Sequence, residues 1–319
     1  MTESTALPTG RIDVHAHHMP AEYRAAIVRQ GIDTDGNPNI PEWSVDAALG
    51  FMDRNGIATS LLSISSPGVH WGDDTAARRM ARLCNETAAQ AKRDRPARFG
   101  SFASLPLPDV DGALSEIEYA LDTLNADGIG LLTNFRGLYL GDPKFASVFD
   151  ELNRRNAIVF IHPTSPPCHE AIAMGYARPM IEFPFDTTRT VVNLVFSGTL
   201  DRCPNIRFIL PHAGGTLPFL VTRIAGGGGA RPPGVKEPFD AYLKRLYYDT
   251  AGAPSAHHFA SLLQLVDIRQ VLYGSDWAWA PEPGVANQAQ VLASNPLLSG
   301  DDLARIGRLN ALELFPRPR

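Results

Sequence analysis

The chain has 319 residues, with 34 acidic against 29 basic side chains, a formal net charge of −5 and 44% hydrophobic residues. That length suits one large core, since α/β barrels commonly run to ~250 residues or more as a single domain. The charge balance excludes a basic phosphate-binding face, and no stretch approaches the ~20 apolar residues of a membrane span, so neither a nucleic-acid nor a membrane partner is expected.

Residues 1–10 are polar and read as a disordered or loosely packed tail. They lack the basic stretch and apolar run of a secretory signal, and a cytoplasmic protein is expected. Residues 11–319 read as one domain. The first strand, 12–15, lies in the segment Arg11-Ile12-Asp13-Val14-His15-Ala16-His17. Side chains alternate faces along a strand, so His15 and His17 aim at one point. Two imidazoles converging at a strand end suit a divalent metal; the plainer alternative is one packed and one solvated histidine. The stretch 19–43 is too long for a simple turn and contains Gly31, Gly36, Pro38 and Pro41. It reads as an insertion over a barrel mouth.

Further strands are expected at 58–64, 99–105, 128–133, 158–162, 208–211, 246–249 and 271–273. Helical patterns fall at 73–93, 111–124, 145–155, 191–201, 255–265 and 301–315. This alternation predicts a parallel sheet, and eight repeats predict closure into a (β/α)8 TIM barrel of the α/β class, with an open doubly wound sheet as the competing architecture. The fifth strand ends in His162, the sixth leads to His212, and the eighth leads to Gly274-Ser275-Asp276-Trp277. Strands one and eight are neighbours only in a closed sheet, so closure brings His15, His17 and Asp276 together. Gly226-Gly227-Gly228-Gly229-Ala230-Arg231-Pro232-Pro233 reads as a flexible surface connection. Cys84, Cys168 and Cys203 are few and scattered, as free thiols are. His18 alternates away from the metal direction, His257 and His258 read as surface residues of a helix start, and His70 and His169 as solvated loop residues.

Together, His15-x-His17, His162, His212-Ala-Gly-Gly and Gly274-Ser275-Asp276 resemble the amidohydrolase superfamily over residues 11–315. Three segments are similar to its aminocarboxymuconate-semialdehyde decarboxylase branch: Leu210-Pro-His-Ala-Gly-Gly-Thr-Leu-Pro-Phe-Leu-Val-Thr-Arg-Ile224, Phe51-Met-Asp-Arg-Asn-Gly-Ile57 and Tyr273-Gly-Ser-Asp-Trp277. Phe183-Pro-Phe-Asp-Thr-Thr-Arg189 resembles relatives that decarboxylate salicylate-type acids such as methylsalicylate. The resemblance implies non-oxidative decarboxylation of a small aromatic or unsaturated carboxylic acid by a homodimer or homotetramer. Binuclear relatives carry a bridging lysine or a substitute at the end of the fourth strand, whereas Gly128-Ile-Gly-Leu-Leu-Thr-Asn134 offers none. One metal ion is therefore expected, on His15, His17, His162 and Asp276; zinc suits that set and manganese is the alternative. His212 resembles the residue that activates water at the metal or moves protons at the substrate.

Decarboxylation requires a proton at the ring carbon that bears the carboxylate, delivered by His212 or Asp276. A bidentate arginine suits the substrate carboxylate, with Arg189, taken to open the helix before the sixth strand, and Arg136 as candidates. Trp71, Phe135, Phe183, Phe185 and Trp277 are candidates to wall the ring. Two other readings remain open: hydrolysis of a lactone, an amide or a related small molecule on the same scaffold, and a silent barrel that binds a ligand or partner.

Overall fold

A computed structural model describes residues 7–226, 232 and 234–315. Eight parallel strands pair in chain order: β1 (Arg11–His17), β2 (Ile57–Ser63), β3 (Phe99–Ser104), β4 (Gly128–Leu132), β5 (Ile158–His162), β6 (Arg207–Leu210), β7 (Tyr247–Asp249) and β8 (Val271–Leu272). The strands are buried almost throughout, as parallel strands covered by helices must be. The sheet closes where β8 returns to β1. Val14 N donates to Tyr273 O (3.0 Å), His17 N to Trp277 O (2.5 Å) and Asp276 N to His15 O (2.8 Å), and Ala16 bridges Trp277 in parallel. The fold is the (β/α)8 barrel, not the open sheet.

Two apolar layers hold it. Ile12, Val14, Leu61, Phe102, Phe160 and Leu272 meet inside the barrel, and Leu314 and Phe315 join the same cluster. A larger cluster lies between strands and helices and includes Phe51, Phe99, Phe149, Phe208 and Phe259. Phe160 stacks on Phe102 at 5.3 Å and meets the edge of the His15 ring at 4.9 Å. The packed lumen thus supplies a rigid floor at the end where the strands terminate.

The insertion is partly helical: Ala21–Gln30 follows Pro20 and stops at Gly31, whose φ of 60° ends the helix in the left-handed conformation. The helix expected at 191–201 instead spans Glu182–Phe196, with a short turn at Thr199–Arg202. Pro184 hides this start, yet a first-turn N–H has no helical partner, so proline costs little there. Arg189 therefore lies within the helix and does not open it. The helices Val45–Arg54 and Glu282–Ala293 were also absent from the sequence pattern. Gly10 N donates to Gly56 O at 2.9 Å, so the described end of the tail lies against the barrel. Gly227 to Arg231 and Pro233 of the glycine-rich connection lie outside the described residues. Among the described residues no helix is long and apolar enough to cross a membrane, and all three cysteines are free.

Candidate active site

His15 and His17 at the end of β1, His162 at the end of β5 and Asp276 after β8 each bring one ligand-type atom within 4.8 Å of the others. His15 Nε2 and His17 Nε2 stand 3.1 Å apart, and Asp276 Oδ1 lies 3.0 Å from His17 Nε2 and 3.4 Å from His15 Nε2. Three buried imidazoles and a carboxylate crowded on one point fit a divalent cation. β8 can approach β1 this closely because Gly274 lacks a side chain: a Cβ there would lie 2.8 Å from that of His15.

The opposite ring nitrogens are all engaged. His15 Nδ1 meets Asp249 Oδ2 at 2.7 Å, His162 Nδ1 meets Pro163 O at 2.7 Å, and His17 Nδ1 meets Ser63 Oγ at 3.0 Å. Ser63 Oγ itself donates to Ala16 O, so its oxygen accepts from His17. These acceptors place each ring proton on Nδ1 and turn each Nε2 lone pair inward. Asp249 is fully buried at the end of β7, and its Oδ1 also accepts from His212 N (2.9 Å) and Ala251 N (3.0 Å). No motif marks it in the sequence. The available signal is positional: β7 closes on a carboxylate, as β5 closes on His162.

Burial lowers the pKa of His17, and burial together with His17 and His15 holds His162 well below its ordinary value, so both stay neutral. Burial also opposes a charge on His15, but Asp249 and Asp276 overcome it and raise its pKa to about 10. A metal would displace that proton. Asp276 is only partly exposed, which opposes its charge, yet the facing histidines, His15 foremost, keep its carboxyl well below the usual range. Burial pushes Asp13 up to about 7 although Ser275 Oγ and the N–H groups of His15 and Ser275 donate to it. Asp13 thereby ties β1 to the loop that carries Asp276.

His212 stands outside the four-residue cluster. Its Nε2 is 3.8 Å from Asp276 Oδ2, and its Nδ1 is buried without a partner among the described residues. His212, Ala213 and Asp276 all have left-handed backbones, with φ of 54°, 54° and 62°. Such conformations cost ~1–3 kcal/mol each and persist where the surroundings fix them; here the Asp249 bond to His212 N does so. His162, His212 and Asp276 open into a cavity of about 710 Å³, within the range of small-molecule sites. Its walls are apolar on Met180, Phe183, Pro184, Phe219 and Trp279 and polar on Thr34, Asp35, Asn37, Ser65 and Ser66. No lysine or arginine is among the described residues that line it.

A profile of the amidohydrolase family matches residues 12–317. The chain belongs to that family. The 6-methylsalicylic acid decarboxylase of Aspergillus aculeatus is 37% identical over 318 residues, covering 96% of each chain. A crystal structure described as an amidohydrolase II superposes with a TM-score of 0.91 at 33% identity, covering 97% of this chain and 100% of the other. A dihydroxybenzoic acid decarboxylase from Polaromonas, crystallised with manganese and 2-nitroresorcinol, has the same fold, with a TM-score of 0.84 at 24% identity and 97% coverage of both chains.

This amidohydrolase places the other candidate residues differently. Trp277 stacks on Phe51 at 4.6 Å, and its neighbour Trp279 lines the cavity instead. Phe185 is 42% exposed outside the cavity while Phe183 lines it; two helical residues apart means nearly opposite faces. Arg189 is exposed, with Asp186 at 3.8 Å. Arg136 sits in the turn between two short strands, Asn134–Phe135 and Leu138–Tyr139, and lines a second cavity of about 250 Å³ with Phe135, His70 and His169. Neither candidate for the arginine clamp is among the described residues lining the main cavity. Trp71 donates to Gly68 O and lies elsewhere. His18 is buried on Ser63 O and Cys84 O, away from the cluster. His257 and His258 are exposed, as expected, and His258 also stands at the main cavity with Ser255 Oγ on its Nδ1 at 2.9 Å. After β4, Thr133 Oγ1 and Asn134 Nδ2 donate to buried Asp186 at 2.5 and 2.9 Å, which turns them toward the helix Glu182–Phe196.

Proposed function

We propose that the protein is a metal-dependent, non-oxidative decarboxylase, a carboxy-lyase acting on a small salicylate-type aromatic acid. The position of His212 carries this reading: it shares one apolar-walled cavity with the ligand cluster but lies outside it. End-to-end similarity to a protein named 6-methylsalicylic acid decarboxylase supports the same reaction class. His15, His17, His162 and Asp276 would hold one divalent ion. Zinc suits three imidazoles and a carboxylate, and manganese is the alternative. The lack of a lysine, cysteine or glutamate at the end of β4 supports a single ion.

When bound, the ion supplies Lewis-acid stabilisation of negative charge on the substrate carboxylate and an adjacent oxygen. The chain's own part is proton transfer and exclusion of water. A proton reaches the ring carbon that bears the carboxylate, the carbon–carbon bond breaks, CO2 leaves, and the released electron pair restores aromaticity. His212 Nε2 would deliver the proton, and Asp276 Oδ2, 3.8 Å away, would relay it. Phe183 and Trp279 offer the ring an apolar bed. Met180 and Phe219 at the mouth, with Met174 and Tyr176 in the segment leading to it, are exposed apolar side chains. Such a rim supports a homodimer or homotetramer. Free cysteines, two of them buried, support a reducing cytoplasm.

The test is CO2 release from salicylate, 6-methylsalicylate and 2,6-dihydroxybenzoate by the metal-loaded protein. Chelation is expected to lower turnover by ~100-fold or more, with recovery on adding zinc or manganese. Acid production from lactones, with no CO2 from any ring acid, would replace this reading with hydrolysis.

A further inference from the structure

One carboxylate in the cavity has no part in the reaction just described. Asp35 lies in the insertion after β1, 6% exposed, with a left-handed φ of 55°. Its Oδ1 accepts from Ser165 N at 3.0 Å and Ser165 Oγ at 2.5 Å, which pins it to the loop after β5. Arg178 pairs with Asp33 and braces the same turn. Asp35 Oδ2 takes no hydrogen bond or ion pair from the described residues, although Asp35 lines the cavity that holds His162, His212 and Asp276. That oxygen opens into the cavity without a protein donor, so a ligand that brings an N–H or O–H and excludes water from it finds an acceptor there.

The remaining lining sharpens the requirement. No lysine or arginine is among the described residues that line this cavity, so of the described groups only the metal and the histidines would offset a substrate carboxylate. A second carboxylate near Asp35 would meet a like charge in a partly desolvated site. The bonds already made by neighbouring hydroxyls leave Asp35 as the charged acceptor: Thr34 Oγ1 donates to Asn37 O, and Ser66 Oγ meets Thr164 Oγ1 at 2.7 Å.

We propose that Asp35 is a specificity-determining residue that accepts a hydrogen bond from a ring hydroxyl or amino group other than the one beside the reacting carboxylate. The site then takes hydroxylated or aminated aromatic monoacids and rejects dicarboxylates. The reaction class rests on the decarboxylase reading; the binding preference does not.

The test uses the metal-loaded full chain and matched ring acids that carry hydroxyl, methyl or carboxyl at the same position, with dissociation constants from calorimetry and CO2 release measured in parallel. The wild type is expected to bind the hydroxyl acid about tenfold or more tightly than the methyl acid in at least one ring position. Asp35→Asn keeps an acceptor for Ser165 and tolerates the left-handed backbone, but turns an amide N–H2 into the cavity. That variant should lose the hydroxyl preference and bind the carboxyl acid more tightly than the wild type, with an unchanged thermal midpoint. No hydroxyl preference in the wild type at any ring position, or an equal loss for hydroxyl and methyl acids in Asp35→Asn, overturns the assignment of Asp35. Selective binding with no CO2 from any acid leaves that assignment standing and removes the decarboxylase reading.

Discussion

His212→Ala is expected to retain its metal and lose ~10²–10⁴-fold in kcat, whereas His162→Ala is expected to lose the metal itself. The two histidines share the cavity but differ in what their ring atoms reach. His162 Nε2 points into the ligand cluster, and its Nδ1 is fixed on Pro163 O at 2.7 Å. Removing it deletes one of the four proposed ligands. His212 approaches the cluster through Asp276 Oδ2 at 3.8 Å, and the bond that shapes its loop comes from its backbone N, which alanine keeps. Metal content by emission spectroscopy and single-turnover CO2 release separate the two effects. Equal metal loss in both variants would make His212 a ligand and remove the proton donor from the scheme.

The sequence reveals the barrel because its strands are short apolar runs that end on reactive residues. The run 158–162 coincides with β5, and the other seven strands shift by one or two residues at an end. Closure was readable because Asp276 can meet His15 and His17 only across the seam between β8 and β1. The helix in the insertion was not readable, since Pro20, Gly31 and Pro38 are as common in loops as at helix ends. The cavity walls were less legible still. Phe183 and Phe185, or Trp277 and Trp279, differ only in which way a helix or loop turns, and a local pattern does not fix that. Asp249 and Asp35 escaped for a related reason. Each acts through partners far along the chain, His15 for the one and Ser165 for the other, so no spacing announces them.

Asp249→Asn should weaken the metal site without touching a proposed ligand, while leaving the barrel folded. Asp249 Oδ1 accepts from two backbone N–H groups, those of His212 and Ala251, and Oδ2 accepts from His15 Nδ1. Asparagine has one acceptor oxygen. Placing that oxygen toward the two N–H donors preserves two hydrogen bonds; placing it toward His15 preserves one, so the first orientation wins. The amide N–H2 then faces His15 Nδ1, which must become an acceptor. The ring proton moves to Nε2, the atom that has to present a lone pair to the metal. The change also removes a negative charge from beside a dication. Metal affinity should fall by ~10–100-fold, as it does when an outer partner of a ligating histidine is lost. A competition titration against a chromophoric chelator measures this directly. Asp249→Ala is the contrasting variant: it strands two buried N–H groups at ~1–3 kcal/mol each and should lower the thermal midpoint of the metal-free protein, which Asp249→Asn should not. Wild-type metal affinity in Asp249→Asn would mean that the 2.7 Å contact merely fills space and that His15 is oriented by its packing on Phe160.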